Sequence, residues 1–556
     1  MSPSLRVATR RERAYLGSAA LLTAATFLFS LLWAFALPHF EGPDEREHYN
    51  SVARLVDGGG WPLPYEASLL GSTWRALGES GAVMPDGEFV DPLPAPSGRG
   101  DFIDPSVPPM RSNDGMVQHP PGYYLVAAAV VHTTGGEGMR WDHTAFVLYA
   151  LSAAMVAGAT PFIAGVVRRA TGSRWAGILG ALFPLFIPWY AASGSRISND
   201  ALLILAVSAT IYALVRAVTD PRHRTGMLVF SGVAYGVALF AKGYALMLAP
   251  VVLLLAVWAV WRRGWGLWSA TWRLLLPAGI AAAIGGWWWI RNLILLGRIQ
   301  PSRFGLRDDR GQEVAADGYS LSLFVKTFFA RLNATFWDRI GYVRADGQGW
   351  IVGAGGIFLV LVIVLALVLA RRRLLLAILL LYPVVILVTL FQNSHAIYWD
   401  LGSLRRGIQG RYLFSGIAVF ALAFAMLAHR LAHRASRRVN GAVTIIGGVV
   451  AMVVVGVAMR SAVPLTWRAR EEGTPASISD PAAFMDISPV LLRTMFAAAC
   501  VLLLLGVVFG ARSADSPRER EGGRAGRGRR THPALRGSHA PRAQPGNIQS
   551  GGHVRP

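Results

Sequence analysis

The segment "HPPGYYLVAAAVVH", His119 to His132, decides how this chain is threaded. It is apolar, but its 14 residues fall short of the ~20 that a helix needs to cross hydrocarbon. Reading it as a membrane span would invert every later segment and place every downstream arginine run outside. Loops rich in Lys and Arg mark the cytoplasmic side. The segment therefore reads as a re-entrant or interfacial helix, and the rest of the topology follows.

On either side of it the chain is too apolar to be soluble. Of 556 residues, 53% are hydrophobic and 15% charged, the balance of a polytopic membrane protein. Twelve apolar runs are long enough to span, at 14–37, 143–167, 175–193, 199–217, 227–241, 244–261, 272–290, 350–370, 374–391, 410–428, 441–460 and 489–511. The 227–241 run is the shortest. Basic residues Arg10, Arg11 and Arg13 precede the first run, and no small-residue cleavage site follows it, so it reads as a retained anchor. The fold class is all-α, with about 12 transmembrane helices and a long first extracytoplasmic loop carrying juxtamembrane helices.

The net charge of +22 is nearly all arginine, since Lys242 and Lys326 are the only lysines. Arg168, Arg169 and Arg174, then Arg216, Arg222 and Arg224, then Arg262 and Arg263, Arg371 to Arg373, and Arg430, Arg434, Arg437 and Arg438 all fall on one side. That side is the cytoplasm, with both termini, and the bias to arginine over lysine looks like that of a GC-rich bacterial genome, so the expected location is a bacterial plasma membrane. This distribution argues against a nucleic-acid partner. Cys500 is the single cysteine and lies in an apolar run, which excludes an intramolecular disulfide. Residues 1–13 read as a cytoplasmic N-terminus, 14–430 as the main transmembrane module and 431–511 as C-terminal transmembrane helices. Residues 512–556 lack the aliphatic content to build a core, and read as a disordered basic cytoplasmic tail on anionic headgroups.

The outer side is different in kind. Its first loop, 38–142, holds thirteen Asp/Glu against five Arg between Leu37 and His119. The second is 291–349 and the third 392–409. The densest acids, "FEGPDEREHYN" (Phe40 to Asn50), stand where the chain leaves the membrane. On a helix, Asp44 and His48 share a face at i, i+4. A carboxylate there can serve as a general base toward a hydroxyl. The plainer reading is a solvated helix start, with Glu41 and Glu47 serving the helix and its solvent. Asp44 with His48 also suggests a divalent cation, though two ligands are a weak metal signal, and no cofactor is certain.

Other candidates lie further on. Tyr123 and Tyr124 suit either interface anchoring or substrate contact. Ser198 or Asn199 can cap the helix that Asp200 begins, which leaves Arg196 unexplained. Arg196, Arg291, Arg339, Arg405, Arg406 and Arg411 all fall on the outer side, where cations are expected to be few. A lipid-linked phosphate would account for them, and so would salt bridges to the first-loop acids. Lys242 is either another phosphate contact or a snorkelling interface residue.

Taken together, Asp44-Glu45 with Tyr49 after the first span, Pro120 to Tyr124, Asn199-Asp200, "WWWIRN" (Trp287 to Asn292) and "QGRYLF" (Gln409 to Phe414) resemble the GT-C superfamily of membrane glycosyltransferases. Within it they are similar to the bacterial DUF2142 group, whose "PDExxH"-type motif is matched by Pro43, Asp44, Glu45 and His48. The likeness covers about residues 14–430. It implies a GT-C-like fold, and transfer of a sugar from a polyprenyl-phosphate donor to a glycan or lipid acceptor of the cell envelope, among membrane lipids. It implies an inverting displacement with Asp44 as base and Glu45 as runner-up. The candidates for substrate binding are Arg196, Arg291 and Arg411 for the donor phosphate with Lys242 a weaker one, Tyr123 and Tyr124 for lipid or sugar stacking, and His48, Tyr49, His119, Asn199 and Asp200. The chain departs from the pattern in having no clear metal triad and no large C-terminal outer domain. The alternatives are a transporter or flippase for a lipid-linked precursor, or a non-catalytic envelope-assembly protein.

Overall fold

The computed structural model describes residues 3–64, 66–81, 94–220, 222–301, 319–337, 339–340, 343–344, 349–404, 406–473 and 481–514. Helix α1 (Pro3–Ala36) leads into the first-loop region, which holds α2 (Glu45–Val56), α3 (Gly71–Glu79) and α4 (Gly122–Thr134). There β1 (Ser68–Leu69) pairs antiparallel with β2 (Met110–Asn113). The bundle continues with α5 (Trp141–Thr171), α6 (Arg174–Leu182), α7 (Pro188–Gly194), α8 (Asp200–Thr219), α9 (Arg224–Ala241) and α10 (Ala249–Trp261). Helix α11 (Leu267–Ala281) passes through a π-helical turn into α12 (Trp287–Leu296). Helix α13 (Leu321–Trp337) and the short antiparallel pair β3 (Arg339–Ile340) and β4 (Val343–Arg344) come next. The remaining helices are α14 (Gly349–Leu369), α15 (Arg373–Leu401), α16 (Ile417–Leu431), α17 (Arg437–Gly473), α18 (Pro481–Phe484) and α19 (Pro489–Ser513).

Among the described residues eleven helices are long and apolar enough to cross a membrane, or twelve if one bent pair counts as a span. That pair joins Arg174–Phe186 to Pro188–Gly194 at 75°. Its cause is in "FPLFIP", where Pro184 and Pro188 remove two backbone donors within one turn. Each of the twelve expected apolar runs has its counterpart, and the 227–241 run is a full span, Arg224–Ala241. Helix α4 has 13 residues and is not among the spans.

Two expected loops differ. The segment 392–409 is helical through Leu401, where Gly402 at φ 65° stops α15; only a residue tolerant of the left-handed region ends a helix this way at low cost. The segment 291–349 begins as the last turns of α12 and contains α13. Arg405, and the tail from residue 515, lie outside the described residues.

The threading places like with like. Helix α8 runs away from the first loop and α9 returns, so Lys242, just after α9, meets Asp200 at the start of α8, with Nζ 2.7 Å from Oδ1. At the far end the arginine turns are tied together. Arg168 and Arg174 both hold Glu12, at 2.7 and 3.1 Å. Arg169 holds Asp220 at 3.1 Å, and Arg372 donates to the carbonyl of Arg169 at 2.9 Å. The C-terminal pair α17 and α19 packs on α1, where Ser18 Oγ donates to the carbonyl of Gly506 at 2.6 Å. Small residues permit that approach, as in membrane helix pairs generally.

The first-loop region is held by one buried carboxylate. Asp114 Oδ2 accepts from Asn50 Nδ2 (2.8 Å), Ser51 Oγ (2.9 Å) and Arg54 Nη1 (2.8 Å), all on α2. Its Oδ1 accepts from the backbone N–H of Met116 at 2.8 Å. Asn50 reaches on to the β pair, accepting from Leu70 N–H at 2.8 Å. Asp114→Ala would leave the Arg54 charge buried and unpaired, a loss of about 3–5 kcal/mol. Limited proteolysis within 58–66 should become faster in that variant, while Asp57→Ala, on an exposed turn, should leave it unchanged.

Candidate functional site

The turn "FEGPD" sets the geometry. Phe40 and Asp44 both take positive φ, 61° and 59°. An L-residue in that region carries roughly 1–2 kcal/mol of strain, which Asp tolerates better than most. A Cβ at Gly42 would stand 2.8 Å from Glu45 Oε2, so the turn closes tightly on the start of α2. The consequence is that two adjacent acids point opposite ways. The Asp44 side chain is 45% exposed, whereas Glu45 is buried.

Glu45 belongs to the interior. Its Oε2 accepts from Gly42 N–H at 2.6 Å and lies 3.8 Å from Arg196 Nη1. Burial pushes the carboxyl above its ordinary range, and the Arg196 charge opposes that. Arg196 also donates to the carbonyl of Pro38 at 3.1 Å and lies over the Tyr149 ring at 5.2 Å. It thus clamps the exit of α1 to the turn before α8. The Glu45 carboxylate faces the interior and Arg196, unlike the half-exposed Asp44 next to it. Glu47, expected to face solvent, is also buried and accepts from Arg46 Nε at 2.9 Å.

Asp44 is held by a different cation. Arg411 Nη2 donates to Asp44 Oδ2 at 3.1 Å, and Arg411 Nη1 lies 3.4 Å from Asp200 Oδ2. Asp200 Oδ1 takes the Lys242 ammonium. The order Asp44–Arg411–Asp200–Lys242 links four segments at one end of the bundle. Lys242 immediately precedes the 3₁₀ turn Gly243–Leu248 that opens α10, and Arg411 lies in the 3₁₀ turn Gly410–Gly416 that opens α16. Arg411 is fixed from behind. Its Nε donates to Gln409 Oε1 at 2.5 Å, and Gly410 N–H donates to Thr335 Oγ1 of α13 at 2.7 Å. A Cβ at Gly410 would fall 2.4 Å from the carbonyl of Leu332, so α13 can lie this close only over glycine. Tyr412 faces both cations, its ring 5.3 Å from Arg411 and 5.3 Å from Lys242, with Tyr244 at 5.8 Å from Lys242. Lys242 is 5% exposed, and burial pulls its ammonium below the ordinary range against the opposing Asp200 charge. The snorkelling reading of Lys242 is therefore replaced by a buried ion pair.

The histidines line the same cluster. His48 Nδ1 pairs with the hydroxyl of Tyr124 at 2.8 Å, and Trp61 packs on Tyr124 at 4.8 Å between centroids. Burial first, and then the Lys242 and Arg411 charges, hold His48 well below the usual histidine range. His119 is pushed down to about 3 by burial, with Lys242 adding to it, and its Nδ1 has no hydrogen-bond partner among the described residues. With His48 bound to Tyr124 and Asp44 to Arg411, the divalent-cation alternative has no third ligand nearby: among the described residues no group of three or more His, Cys, Asp or Glu could hold a metal ion.

Not every candidate converges here. Tyr123 bonds Ser152 Oγ at 3.0 Å behind Tyr124. Tyr49 donates to the carbonyl of Trp141 at 3.1 Å and packs on Phe40 and Phe102, a core role. Asn199 makes no side-chain cap; its Nδ2 crosses to the carbonyl of Ala241 at 3.3 Å, and Ser198 Oγ accepts from Asp200 N–H instead. Arg291 stacks on Trp288 at 4.7 Å and donates to Asn292 at 3.1 Å, with no bond to the cluster among the described residues. From that segment it is Trp289 that supports the site, donating to the carbonyl of Leu239 at 3.1 Å beside the Lys242 turn. Gln409, Tyr412, Tyr244, Trp61 and Thr335 were missed. The first three stand within two residues of a candidate cation, which is the signal that marks them.

A family model described as "Predicted membrane protein (DUF2142)" matches residues 27–420. No curated protein matches the sequence. Among solved structures, ArnT from Cupriavidus metallidurans bound to undecaprenyl phosphate aligns at 14% identity and TM-score 0.45, over 89% of this chain and 76% of that one. The Archaeoglobus fulgidus oligosaccharyltransferase tethered to an acceptor peptide aligns at 14% and 0.39, over 85% and 59%. The S. cerevisiae Pmt1–Pmt2 O-mannosyltransferase complex bound to its sugar donor aligns at 15% and 0.33, over 48% and 32%.

The two neutral imidazoles set a pH dependence. In the unfolded chain a histidine titrates near 6.5, while in the fold both stay neutral to lower pH. The unfolded chain then binds more protons, so stability falls as pH drops from about 6.5 toward the folded value of about 3 for His119. Thermal melting in detergent should show this slope, and His119→Asn should flatten it; an equally steep profile would refute the assignment.

Proposed function

We propose that this chain, which belongs to the DUF2142 family of membrane proteins, is an integral-membrane glycosyltransferase with Asp44 as its base. The donor would be a sugar on a polyprenyl phosphate and the acceptor a hydroxyl of an envelope glycan or lipid. One observation carries the reading. A half-exposed carboxylate in a strained turn is held by a buried guanidinium that also reaches a second ion pair, Asp200–Lys242. Charges at a membrane boundary are retained where they are used.

The cluster suits displacement at an anomeric carbon in a particular way. At rest two carboxylates, Asp44 and Asp200, balance two cations, Arg411 and Lys242. As the acceptor oxygen bonds to the anomeric carbon, its proton passes to Asp44 and the bond from that carbon to the phosphate oxygen breaks. The electron pair leaves with the phosphate, which goes from monoanionic diester to dianionic monoester. Asp44 loses one negative charge as the leaving group gains one. Arg411, released from Asp44, can then turn its planar fork to the phosphate. In this reading Asp200 keeps its hold on the Arg411 guanidinium, so a single contact changes as charge develops on the leaving group. A phosphate leaves without a general acid, so the second carboxylate of glycoside hydrolysis is not needed.

The arginine turns at the opposite end favour that end as cytoplasmic and the Asp44 end as the outer face of a bacterial plasma membrane. The bent α6–α7 pair favours a second reading, transport of a lipid-linked precursor, because transporters use broken helices. Against it, the break at Phe183–Ile187 holds no ionisable side chain, and the charges gather at helix ends.

Asp44→Asn preserves the size of the side chain and removes its basicity. In proteoliposomes carrying a radiolabelled polyprenyl-phosphate sugar and envelope acceptors, it should lower transfer by about 10²–10⁴-fold. Donor retention by the variant should stay near wild type. Transfer at the wild-type rate would remove Asp44 as the base.

A further inference from the structure

At the end of the bundle away from Asp44, one sector carries more arginines than carboxylates, with Arg222, Arg224, Arg262 and Arg263 against Asp220. The α8–α9 and α10–α11 turns converge there. The charges acting on Arg224 are those of Arg263 and Arg262, ahead of that of Asp220. Arg224 is anchored by Nε donating to the carbonyl of Ala217 at 2.9 Å, while Arg222, Arg262 and Arg263 are exposed. Asp220 is shared among Arg169 (3.1 Å), Arg216 (3.9 Å) and His223 (3.5 Å). Glu12 is taken by Arg168 and Arg174. Asp220 also acts on Arg224 but is shared with Arg169, Arg216 and His223, so the charges of Arg224, Arg262 and Arg263 outnumber the acid beside them.

An aromatic rim surrounds these charges. Trp261, Leu267 and Trp268 are 76, 87 and 83% exposed. Arg273 is clamped between Trp265 and Trp272, at 4.2 and 4.1 Å, and its Nε donates to Thr225 Oγ1 at 3.2 Å, which ties α11 to α9. Exposed indoles settle at the headgroup level of a bilayer. The rim therefore puts these arginines at the depth of lipid phosphates, whose geometry a guanidinium matches.

We infer that the α8–α9 and α10–α11 turns form a binding site for the phosphate of an anionic phospholipid headgroup. It is separate from the Asp44 cluster by the length of α8, whose 20 residues span about 30 Å. The aromatic rim selects a lipid over free phosphate, because a soluble anion gains nothing from exposed indoles.

The test uses the full chain in neutral detergent, with native mass spectrometry reading bound phosphatidylglycerol against phosphatidylcholine. Wild type should retain phosphatidylglycerol selectively. Arg262→Gln with Arg263→Gln should weaken that retention by roughly 30-fold, the effect of removing two surface cations, and leave phosphatidylcholine unchanged. Both side chains are exposed, and single Arg262→Glu, which reverses one charge, provides an independent variant with the same expected direction. Wild-type selectivity in both variants would overturn the site. Inorganic phosphate that competes fully at the lipid's own concentration would overturn the lipid assignment.

Discussion

Arg411 is the contact on which the functional end of this molecule depends. One guanidinium reaches Asp44 on the first loop and Asp200 at the start of α8, and Asp200 in turn binds Lys242. The first loop has other polar ties to the bundle, Glu45–Arg196, Arg99–Asp142 and Arg140–Asp486, but none of them reaches Asp44. A buried guanidinium is tolerable only with its donors occupied, and here Gln409 fills Nε while the two carboxylates face the rest. The same arrangement keeps the cluster electrically balanced, so a proton arriving at Asp44 changes what Arg411 can do.

Helix ends are where such a cluster can be built. Lys242 leaves an extended position just before one 3₁₀ turn and Arg411 lies within another, so both cations sit where a helix begins and not on its regular face. The supports are equally specific. Thr335 and the glycine at 410 let α13 press on one turn, and Trp289 backs the other. The Asp114 hub then holds α2 at the angle that leaves Asp44 half exposed while burying Glu45.

Much of the fold was legible because it rests on length and charge. A 13-residue apolar helix is too short to span, and arginines mark loop sides, so the threading could be read before any contact was known. The break in α6–α7 was less visible, because Pro184 and Pro188 interrupt hydrogen bonding without interrupting hydrophobicity. At the site, residue types announced themselves while partners did not. Asp44 and Arg411 are 367 positions apart, and no local pattern says which of six outer arginines will meet which acid. Adjacent Asp44 and Glu45 look interchangeable until the positive φ at Asp44 sends them apart. Asn199 looked like a cap because its position permits one, but the carbonyl of Ala241 offered a competing acceptor.

The outer-side arginines had one question in common, and the structure divides them. Arg196 is spent on Glu45 and the Pro38 carbonyl, a fixed clamp with neither partner exposed. Arg291 rests on its own helix. Of these three, Arg411 holds a carboxylate that solvent also reaches, and an ion pair with one exposed member can be exchanged at lower cost than one buried on both sides. That difference in burial, rather than the count of cations, separates an arginine locked into the interior from one whose ion pair opens to solvent.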